Sequence, residues 1–88
     1  MDPQKQLEKI LLEKDPMKIK EYDDYETESK LIIKELPYVK TVEKLSMVLY
    51  TIFSKQYTPK QALLDWKPVA KAILEDKILG KQAGRLNK

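Results

Sequence analysis

Leucine, isoleucine, valine and aromatic residues recur every three or four positions along this 88-residue chain, and no stretch alternates strictly between apolar and polar for long. That spacing predicts helices throughout. Asp2 followed by Pro3 reads as an N-cap with proline at the first helical position, and Leu7, Ile10 and Leu11 supply the apolar stripe of a helix from Pro3 to Lys14. Asp15-Pro16 ends it, because the residue before a proline is pushed out of the α region. Met17 and Ile19 are expected to anchor the following loop to the core.

A second helix is expected to begin inside EYDDYETE, residues 21–28, where Asp23 precedes Glu26 by three, the carboxylate counterpart of a capping box. Tyr25, Ser29, Ile32 and Leu36 then share one face, and Pro37 closes the element. Thr41 is the next cap candidate, followed by Val42, Leu45, Leu49, Ile52 and Phe53, the clearest amphipathic stripe in the chain. Thr58-Pro59-Lys60-Gln61 signals a fourth start. Leu63, Trp66, Ala70, Ile73 and Leu74 keep helical phase across Pro68, which predicts one helix kinked near Pro68 and ending at Gly80 as its C′ glycine. The fold class is therefore all-α: a small bundle of about four short helices in a single domain over 1–79, with 80–88 as a basic, disordered tail.

Composition narrows the chemistry. The chain has neither cysteine nor histidine, so disulfides, thiolate nucleophiles and ordinary zinc or haem sites are not expected. The N-terminal stretch has no basic and apolar leader pattern, and no uninterrupted apolar run approaches the roughly 18 residues of a spanning helix, so a cytoplasmic protein is expected. The net charge is +3, but Lys81, Arg85 and Lys88 carry all of it: residues 1–79 hold fourteen basic and fourteen acidic groups. Residues 1–36 sum to −3 and residues 37–88 to +6.

The three serines, Ser29, Ser46 and Ser54, lie in predicted helices without a nucleophile-elbow context, and the only glycines, Gly80 and Gly84, offer no phosphate-cradling loop. No enzymatic activity and no cofactor are expected. The acidic run does not match a calcium loop, since Asp23 and Asp24 are adjacent and no glycine follows; Asp24 and Glu28, four apart, make at most a weak cation pair. Acids there also complement the positive end of a helix dipole. Of the aromatics, Tyr25 and Trp66 fall on core stripes, while Tyr22 is expected to be exposed.

The order Asp15-Pro16-Met17, then EYDDYETE, then TVEKLSMVLYTIF resembles the YugE-like domain-of-unknown-function family of small helical bacterial proteins over about residues 8–57. The chain departs from that pattern with Lys18 and Lys20, where a more apolar or glycine-bearing loop is expected, and with Pro68. The resemblance implies an all-helical cytoplasmic protein without an assigned activity, some of whose relatives look like immunity proteins beside toxin genes. Its motif positions map to Asp15, Pro16, Tyr22, Asp23, Asp24, Tyr25 and Glu28.

The leading functional expectation is a non-enzymatic protein-interaction module whose acidic face, Glu21, Tyr22, Asp23, Asp24, Glu26 and Glu28, meets a basic protein partner. The alternative is weak, salt-sensitive nucleic-acid binding through the basic C-terminal half, with Lys71, Lys77, Lys81 and Arg85 on phosphates.

Overall fold

The computed structural model describes residues 2–19, 21–56 and 65–86. Helix α1 (Pro3–Lys14) starts where the Asp2-Pro3 signal places it: the Asp2 carboxylate accepts the Gln4 N–H at 3.2 Å, satisfying one of the unpaired donors of the first turn. Leu7, Ile10 and Leu11 turn into the core. At its C-terminus Asp15 adopts a left-handed conformation (φ 43°) and its N–H returns to the Leu11 carbonyl at 2.7 Å.

Helix α2 (Glu26–Glu35) runs directly into a 3-10 turn (Leu36–Tyr38) containing Pro37. Tyr25, Ser29, Ile32 and Leu36 are all buried, as their shared face requires. The capping box expected between Asp23 and Glu26 does not form. Tyr25, in the left-handed region (φ 61°), is the N-cap, and the aspartates each bond two residues ahead: Asp23 accepts the Tyr25 N–H at 2.7 Å, Asp24 the Glu26 N–H at 3.1 Å. Short aspartates readily make such local turns in place of a cap three residues away.

Helix α3 (Val42–Gln56) is capped by the Thr41 hydroxyl, which accepts the Lys44 N–H at 3.1 Å. It lies along α2 on one side and on the other along α4 (Lys67–Glu75). Phe53 links the two contacts: its ring stacks on Trp66 at a centroid distance of 4.7 Å and meets the Tyr25 ring at 6.1 Å with the two planes tilted by 59°. Helix α1 packs against α2, α4 and the short α5 (Lys77–Gln82), so one core holds all five helices of the described residues, and no strand occurs among them.

The C-terminal third corrects two expectations. Pro68 does not kink a continuous helix; it sits in the first turn of α4, preceded by the non-helical Asp65 and Trp66, with Asp65 accepting the Lys67 N–H at 3.0 Å. Proline's fixed φ suits a first turn and its missing N–H has no partner to lose there. The expected start at Thr58 lies outside the described residues. Gly80 is likewise no terminator. The chain breaks earlier, at Asp76, and Gly80 lies inside α5, where a Cβ would come within 2.7 Å of the Leu74 carbonyl oxygen; only glycine lets the two helices approach so closely.

Nor does the segment after Gly80 hang free over 83–86. The Gly84 N–H donates to the Leu36 carbonyl at 3.1 Å and the Leu86 N–H to Pro37 at 2.9 Å. Gly84 adopts φ +65°, and a Cβ there would strike the Lys40 side chain at 2.6 Å. Lys81 and Arg85 do not prevent this docking because both remain exposed while the backbone pairs.

Asp76 is the hinge of that arrangement. One carboxylate oxygen caps α5 through the Ile78 and Leu79 N–H groups at 2.9 and 3.0 Å, and the other accepts the Gln6 side-chain amide of α1 at 2.7 Å. Burial alone would raise its pKa, but the Leu79 N–H, the Gln6 amide, the Ile78 N–H and the Lys9 charge together hold it below the usual carboxylate range. A depressed carboxylate stabilises the fold above its unfolded pKa of about 3.9, and that contribution disappears as pH falls through the lower folded value. Asp76→Ala is expected to cost about 1–2 kcal/mol at neutral pH in urea denaturation, with the difference from wild type shrinking towards about pH 3. Leu49→Ala, at the fully buried centre of α3, is expected to cost about 2–5 kcal/mol; a loss below about 1 kcal/mol contradicts a core organised on this helix.

Candidate functional site

The acidic stretch is placed by a loop whose bonds converge on two side chains, Asp15 and Tyr25. Asp15 Oδ1 accepts both the Ile19 N–H at 2.8 Å and the Tyr25 hydroxyl at 2.8 Å, and the same hydroxyl accepts the Met17 N–H at 3.1 Å. Main-chain bonds complete the turn, from Lys18 N–H to Asp15 and from Tyr22 and Asp23 N–H to Ile19. Met17 and Ile19 are buried beneath it, in the anchoring role expected of them. Three non-glycine residues, Asp15, Lys18 and Tyr25, are held at positive φ, a conformation that costs about 1–2 kcal/mol each and persists only where surrounding bonds enforce it.

The six candidate residues divide on this scaffold. Glu21, Tyr22, Asp23, Asp24 and Glu26 are exposed, and Tyr22 at 80% is the most exposed large apolar side chain described. Glu28 is not part of that surface: it points inward at 2% exposure, next to the equally buried Ser29. The expected Asp24–Glu28 pairing on one helical face also fails, since Asp24 precedes the helix and lies outside while Glu28 lies inside. Among the described residues no group of three acidic side chains is arranged to hold a metal ion.

The exposed charges are not equally available. Asp23 and Asp24 each spend one oxygen on a backbone N–H yet keep acceptor capacity, and Glu26 lies 3.2 Å from Lys30 on the next turn, a half-exposed pair worth little in water. Glu21 and Tyr22 make no side-chain hydrogen bond or ion pair among the described residues. Together with Leu12 of α1 and Thr27 of α2 the five line an open, shallow groove of about 620 Å³. It is a shallow, predominantly polar, anionic surface that includes one exposed aromatic ring, Tyr22.

Lys71, Lys77, Lys81 and Arg85, the basic residues of the alternative reading, are all exposed on α4, α5 and the segment after them. Two features are not expected from the sequence. The burial of Glu28 is one; its position three after Tyr25 on the inward face was a signal that its charge obscured. The other is a groove between α2 and α3, which requires knowing that the two helices are neighbours. Among the described residues no helix is long and apolar enough to cross a membrane. Compared with protein-family models, with curated proteins and with solved structures, the chain matches none.

Proposed function

We propose that this chain is a non-enzymatic, cytoplasmic protein-interaction module that meets a basic protein partner through Glu21, Tyr22, Asp23, Asp24 and Glu26. The observation carrying this reading is the exposure of Tyr22 at 80% amid four carboxylates around one groove. A large aromatic left in water beside fixed charge is the composition of an interface anchor, with the charges steering encounter and the ring supplying contact area. An immunity- or antitoxin-like role is the form that the YugE-like resemblance suggests for such a surface.

Glu21 and Tyr22 are the informative positions, because neither side chain holds the loop together. Glu21→Lys combined with Tyr22→Ala is expected to leave circular dichroism and melting temperature unchanged. In co-purification from the native cell the double variant should lose its basic partner by at least about tenfold relative to wild type, and the wild-type complex should weaken as salt is raised. Equal recovery of the same partner by both proteins contradicts the reading.

A further inference from the structure

We propose that the groove between α2 and α3 is a second docking surface, occupied by an acidic amphipathic helix of another protein. The groove encloses about 390 Å³ on a stretch of α2 that does not line the acidic face. Its floor is apolar: Leu31 of α2 and Met47, Val48 and Ile52 of α3. Met47 is 66% exposed and Leu31 38%, so two large apolar side chains of one concave strip stand in water.

The charges around that floor select the occupant. Lys34, Lys44 and Lys55 line the rim, all exposed and none in an ion pair among the described residues, against a single acid, Glu35. A surface of three unneutralised ammonium groups and one carboxylate complements carboxylates. Its geometry selects a helix. Lining residues on α3 recur at 44, 47, 48, 51, 52 and 55 and on α2 at 31, 34 and 35, so both walls are helical ridges with a furrow between them, into which a third helix packs. Lys44 and Lys55 are eleven residues apart, about 16 Å along the axis, which matches about three turns of the incoming helix with acids at both ends. The lining contains no aromatic ring on which a nucleic-acid base would stack, and a furrow between ridges is a poor fit to a flat lipid surface.

The probe is a synthetic fifteen-residue helix with leucines at i, i+3, i+4 and i+7 and glutamates flanking them, labelled with fluorescein and titrated with the full chain. Anisotropy is expected to report saturable binding, weakened at least about tenfold by Met47→Glu and, separately, by Lys34→Glu with Lys44→Glu. Both variants change exposed side chains, and unchanged circular dichroism verifies that they fold. A peptide with lysines in place of the glutamates should bind at least about tenfold more weakly, and Glu21→Lys with Tyr22→Ala should leave binding unchanged, which separates this surface from the acidic face. The proposal is overturned if the acidic peptide fails to bind, if the lysine peptide binds equally well, or if neither groove variant weakens binding. It is also overturned if sedimentation reveals a dimer of the chain that Met47→Glu dissolves, or if Met47→Glu abolishes co-sedimentation with phosphatidylserine vesicles, since the groove would then belong to a second copy or to lipid.

Discussion

The hydrogen bond between the Tyr25 hydroxyl and Asp15 fixes how the first two helices relate, and much of the remaining structure is arranged around it. Asp15 ends α1; Tyr25 begins α2; their 2.8 Å bond closes the intervening loop at its base. The bond is charge-assisted and part-buried, the class that contributes most and that leaves the costliest orphan when broken. Because the Tyr25 ring is wholly buried against Phe53, which in turn stacks on Trp66, the same residue carries the loop geometry into the contact between α3 and α4. The three left-handed residues of the loop are tolerable only because these bonds hold them.

That constraint also apportions the acidic motif. A run of five carboxylates and two tyrosines invites a single functional explanation, yet its members do different jobs. Tyr25 is structural, Asp23 and Asp24 shape the turn with one oxygen each, and Glu28 is inside. Glu21 and Tyr22 remain as the part that no element of the fold requires. Opposite signs of charge then fall on separate surfaces, with carboxylates around the Tyr22 groove and lysines around the furrow between α2 and α3, so a nearly neutral body offers two distinct kinds of contact.

Legibility in the sequence followed the range of the physics involved. Local signals are legible: Asp2-Pro3 opens α1, Thr41 caps α3, and the stripes of Leu7 to Leu11 and Leu45 to Phe53 are buried. At Pro68 two signals compete: the apolar phase runs unbroken across it, while Asp65 is the local acceptor that marks a new first turn, and the local acceptor prevails. Gly80 differs in kind: its need for glycine comes from the Leu74 carbonyl of the preceding helix, a tertiary contact and not a terminal conformation. The candidate site was legible as a surface of charge but not in its membership. Whether an acid faces in or out depends on the helix register, which Tyr25 sets by serving as the cap itself.

Asp15 and Tyr25 act as one structural unit, and a double-mutant cycle of Asp15→Ala and Tyr25→Phe, read by urea denaturation at neutral pH, isolates their coupling. The two substitutions are expected to be strongly non-additive, with a coupling energy of about 1–3 kcal/mol, because each removes the same bond. Additivity to within about 0.5 kcal/mol would contradict the account, since the two residues would then stabilise the fold independently.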